Sequence, residues 1–127
     1  MIATESGRTE LHTESLTGVT WIGIAAAAVT ALVHLFLGVR LVPSGLGISF
    51  VLAGLGFLGA IALVLVGYRR SMVYLVGIPY TLLQIVLWYY INFAGGSNSF
   101  PGDVGTLGAV DKIAQVVLLV VLVRLLQ

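Results

Sequence analysis

Two ionisable side chains stand where chemistry is least expected. His34 interrupts the apolar stretch ALVHLFLG (31–38), and Asp111 opens the otherwise apolar tail of the chain. An imidazole and a carboxylate brought together could relay a proton, hold a ligand or form an ion pair. Tyr80, Gln84 and Trp88 recur every four residues, and Gln115 follows Asp111 by four, so each set shares one face of a helix. His34, Tyr80, Gln84, Trp88, Asp111 and Gln115 are therefore the candidate polar cluster. Whether they meet depends on the elements that carry them.

Those elements are set by composition. Of 127 residues, 59% are hydrophobic and only 9% charged, with a mean hydropathy of +1.11. Soluble domains carry roughly 25% charged residues, so the class expected is an integral membrane protein. Residues 1–15 read as a polar cytoplasmic tail, followed by a single transmembrane domain over 16–127. Four spans are expected within it, at about 16–39, 45–67, 72–93 and 104–126. Pro43, the YRRS segment (68–71) and the Gly/Ser/Asn/Pro-rich stretch 94–103 separate them. The short connections predict antiparallel neighbours and an all-α, up-down four-helix bundle. If the Arg69–Arg70 turn is cytoplasmic, Arg8 and Arg124 join it there, against Arg40 and Lys112 outside. Positive charge thus favours a multi-pass protein of the cell membrane with both termini inside.

Depth decides which polar groups can meet. At 1.5 Å per residue, His34 lies roughly 8 Å, Trp88 about 7 Å, Gln84 about 13 Å and Asp111 about 10 Å from the outer span ends. All fall in the outer half, so a His34–Asp111 contact flanked by Gln84, Gln115 and Tyr80 is geometrically allowed. His34 shares its face with Ala27, Thr30, Ala31 and Gly38 and should point inward. Lys112 lies about 100° round the helix from Asp111 and is expected to reach for the headgroups.

Close helix approach in lipid relies on small residues. Gly23, Ala27 and Ala31 on the first span, and Ala53, Gly56 and Gly59 on the second, are the expected packing residues, pairing these two spans. A homodimer seam or an unknown membrane partner is the other use for such stripes. Pro79 removes the hydrogen bond to the Leu75 carbonyl and predicts a kink in the third span.

Several functions are excluded or left without residues. With no cysteine, there can be no disulfide, CxxC redox motif or thiolate metal site. There is no HExxH, GxSxG or second membrane carboxylate, so no enzyme, metal or cofactor is expected. Scattered basic residues do not form a nucleic-acid surface. The expected function is a non-catalytic structural or accessory membrane bundle with a buried polar cluster. One alternative is a small dimeric transporter or channel with an outward-facing His/Asp site. The small multidrug-resistance exporters and fluoride channels share its size, but Glu14 lies before the first apolar run, where the exporters need a membrane-embedded glutamate. The other alternative is a haem- or quinone-binding subunit, in which two copies of His34 would be brought together by a dimer.

The segments HLFLGV, GISFVLAGLGFLGAIALV and YLVGIPYTLLQIVLWYYIN, within residues 16–93, resemble a group of uncharacterised small four-span membrane proteins of haloarchaea. That resemblance implies an archaeal source and a four-span topology, and no activity.

Overall fold

The computed structural model describes residues 13–95 and 105–127, and every regular element among them is helical. A short 3-10 turn, Thr13–Ser15, leads into α1 (Gly18–Leu41), α2 (Gly45–Leu65), α3 (Arg70–Tyr89) and α4 (Thr106–Leu126). A π-helical turn, Tyr90–Ala94, extends α3. The expected start of the last span at Val104, and residues 1–12 of the expected tail, lie outside the described residues.

Local chemistry explains the boundaries. Thr17 caps α1 by accepting from the Thr20 amide at 3.3 Å, and Ser44 caps α2 by accepting from the Gly47 amide at 3.1 Å. Gly67 (φ 75°) and Arg69 (φ 50°) adopt left-handed backbone and end α2. Arg70 then ties that corner together: its Nε donates to the Val64 carbonyl at 2.8 Å and a terminal nitrogen donates to Ser15 at 2.7 Å. α3 runs unbroken through Pro79.

The helices alternate in direction. Gly38 meets Val51 while Leu35 meets Gly54, so α1 and α2 are antiparallel. Gly23 faces Val121, and Thr30 faces Gln115, on an antiparallel α4. Gly77 against Leu122 and Gln84 against Gln115 set α3 antiparallel to α4. α1 packs most extensively with α2 and then α4, whereas α2 and α3 touch only lightly.

The packing residues divide differently from the sequence expectation. The α1–α2 seam runs through Gly38, Gly47 and Gly54, where any Cβ would strike backbone or side chain. Gly23 instead serves α4, and Gly56 lies under the Tyr80 ring of α3. Ala27 and Ala31 are buried in the core with Phe57, Ala114, Leu118 and Leu122. Ala53 is half-buried and offers its carbonyl to Tyr80, while Gly59 is exposed with nothing within 4 Å of a Cβ. The i, i+3 stripe read on α2 was thus rotated from the face that meets α1, because glycine abundance on α2 leaves several faces equally small.

Large apolar side chains point outward on all four long helices, among them Leu32, Leu52, Leu83 and Val120. By length and composition α1, α2 and the α3 segment to Ala94 are apolar enough to cross a membrane.

Candidate functional site

The polar side chains converge between α1, α3 and α4, near the end where α1 and α3 finish and α4 begins. Asp111, 4% exposed, sits at the centre. Its Oδ1 accepts from the Thr30 hydroxyl of α1, and its Oδ2 accepts from the Lys112 ammonium at 2.7 Å. Both carboxylate oxygens are therefore matched by donors, as a buried charge requires.

Gln115 carries the network onward. Its Oε1 accepts from Lys112 at 2.6 Å, and its Nε2 lies 3.2 Å from the Thr30 hydroxyl and 3.3 Å from Gln84 Oε1. Gln84 in turn donates to the Tyr80 carbonyl at 3.2 Å. Lys112 Nζ also lies 5.2 Å from the centre of the Trp88 ring, within cation–π range. The positive charge is thus held by a carboxylate, an amide oxygen and an aromatic face.

His34 stands beside Asp111, with Thr30 between them. Its Nδ1 is 2.8 Å from the Thr30 carbonyl and 3.7 Å from Asp111 Oδ1. A carbonyl only accepts, so Nδ1 carries the proton and donates there. The ring rests against Phe50 and Phe57 of α2, with centroids 5.4 and 6.0 Å away.

Of the six candidates, His34, Gln84, Trp88, Asp111 and Gln115 gather in this cluster. The Tyr80 side chain does not: its hydroxyl turns toward α2 and donates to the Ala53 carbonyl at 2.9 Å. Two members were missed. Thr30 was read as a small packing residue, although it stands one turn before His34 and carries a hydroxyl. Lys112 was expected to reach outward; its four-carbon stem instead curls back across the 100° separation to its sequence neighbour.

A separate space lies toward the other end of the helices. About 70 Å³ of cavity is lined by Ala27, Phe57, Tyr74, Gly77, Thr81 and Leu118, among others. None of Thr30, His34, Gln84, Asp111, Lys112 or Gln115 contributes to its wall. Among the described residues, no group of three or more His, Cys, Asp or Glu side chains could hold a metal ion.

Residues 5–126 match the model of a family of unknown function, DUF7475. No curated protein and no solved structure matches the chain.

Proposed function

The chain belongs to that family, and we propose that it is an integral membrane, up-down four-helix bundle with a non-catalytic structural or accessory role. The buried cluster locks α1, α3 and α4 in register. One observation carries this reading: the Asp111 carboxylate is buried with both oxygens already matched, by Thr30 and Lys112. For this cluster to serve transport or hold a charged ligand, Asp111 would have to exchange its partners for solvent or substrate. Here the surrounding donors and acceptors are spent on one another, which is how a buried polar network specifies a unique packing.

The outward ring of leucine, valine and isoleucine supports the bilayer as solvent. Arg69, Arg70 and Arg124 at the end opposite the cluster favour a cytoplasmic placement of both termini. Alkaline carbonate extraction of membranes from cells expressing the full chain tests the bilayer assignment. The protein is expected in the pellet, and its release into the supernatant would refute it.

A further inference from the structure

Three arginines mark the end of the bundle opposite the polar cluster, and two of them are committed. Arg70 is tied to the Val64 carbonyl and to Ser15, and the Arg69 guanidinium lies 5.6 Å from the centre of the Tyr68 ring. Arg124, in the last turn of α4, is exposed. Its guanidinium makes no hydrogen bond or ion pair among the described residues. A cation in a last turn complements the helix dipole, but that role needs nothing beside it.

Something does lie beside it. Arg124 stands toward one end of an open groove of about 570 Å³, walled by Val19 of α1 and by Leu119, Val120 and Val123 of α4. From Leu119 to Arg124 the groove runs about 8 Å along the helix. Its wall is aliphatic below the arginine and polar only at the arginine end, where Gln127 follows. An open apolar trough suits a chain that stays in the bilayer better than a soluble ligand, which takes an enclosed pocket.

Depth and charge say what fits. Gly23 faces Val121, so Arg124 lies level with the first turn of α1, where the apolar span begins. The guanidinium therefore sits at the headgroup boundary, with the valines below it in the acyl layer. A guanidinium holds phosphate through two parallel hydrogen bonds. An acyl chain alone leaves that charge unmatched, and a soluble phosphate leaves the apolar wall unfilled; a phospholipid meets both. Among the described residues this end carries Arg69, Arg70 and Arg124 against Glu14, which favours a net negative headgroup over a zwitterionic one.

We infer that the α1–α4 groove binds an anionic phospholipid, its phosphate on Arg124 and one acyl chain along Val19, Val120 and Val123. This inference rests on the bilayer reading, but its test in micelles is separate from carbonate extraction. A chain that pellets with the membrane yet shows no lipid preference fails here alone.

The experiment measures thermal stabilisation of the purified full chain in a neutral detergent by added phosphatidylglycerol, phosphatidylcholine or soluble glycerol phosphate, converted to apparent affinities. Phosphatidylglycerol is expected to bind about fivefold more tightly than phosphatidylcholine, and glycerol phosphate is expected to give no stabilisation. Arg124→Gln should abolish the preference, whereas Arg40→Gln, at the other end, should keep it. Val123→Trp, which fills the groove from an exposed position, should weaken both lipids. Equal binding of the two lipids, a preference that survives Arg124→Gln, or lipid binding untouched by Val123→Trp would overturn the inference. Stabilisation by glycerol phosphate equal to that by the lipid would also overturn it, in favour of a soluble phosphate.

Discussion

Thr30 and Asp111, on α1 and α4, are joined directly: the threonine hydroxyl donates to carboxylate Oδ1 where the two helices meet. The bond closes a network that also holds Lys112, Gln115 and Gln84. His34 is attached to the same threonine through its carbonyl rather than to the carboxylate.

That attachment ranks the couplings. Double-mutant cycles on thermal stability in detergent should give a smaller coupling for His34→Phe with Asp111→Leu than for Thr30→Val with Asp111→Leu. Equal couplings would mean that the imidazole, not the hydroxyl, is the main partner of Asp111.

Lys112 holds a buried negative charge in balance. Lys112→Met should destabilise the protein by about 3–5 kcal/mol, since it strands the Asp111 carboxylate. Adding Asp111→Asn should recover much of the loss, because the charge to be balanced is then gone. Chemical or thermal unfolding of the single and double variants checks both steps.

The glycines separate interface from surface. At Gly38 a Cβ would lie 2.7 Å from Val51 Cγ2 and 2.8 Å from the Val51 amide nitrogen. Backbone cannot yield as a side chain tip can, so Gly38→Ala should cost about 1–3 kcal/mol. Gly59→Ala meets nothing and should be neutral or stabilising by up to about 1 kcal/mol. A loss at Gly59 like that at Gly38, accompanied by a change in oligomeric state, would place Gly59 in a contact between copies.

Orientation is open to a thiol test, since the chain has no native cysteine. Gly45→Cys, at the start of α2, should react with an impermeant maleimide in intact cells. Ser71→Cys, at the start of α3, should react only after permeabilisation. The reverse pattern would place the termini outside.

Much of this arrangement was legible in the sequence. Unbroken apolar runs and the Pro43 and YRRS interruptions marked where α1, α2 and α3 begin and end to within a few residues, because uncharged length and turn chemistry are local signals. Helical spacing and depth grouped His34, Gln84, Trp88, Asp111 and Gln115, because rise per residue is fixed. The directions of Tyr80 and Lys112 were not legible. Tyr80 found a backbone carbonyl on α2, and a carbonyl carries no mark in the sequence. Lys112 has rotamers enough to override its position on the helix. Thr30 was overlooked because a threonine suits a small-residue stripe and a hydrogen bond equally well. The α1–α2 seam was misplaced for a similar reason: glycines on several faces of α2 make periodicity ambiguous.

The most direct test of the structural lock is the double-mutant cycle of Thr30→Val and Asp111→Leu on unfolding in detergent. A self-contained network predicts that the two losses are not additive, with a coupling of about 1 kcal/mol, in the upper range for hydrogen bonds between membrane helices. Additive losses would contradict the account, showing that Asp111 serves something other than the partners around it.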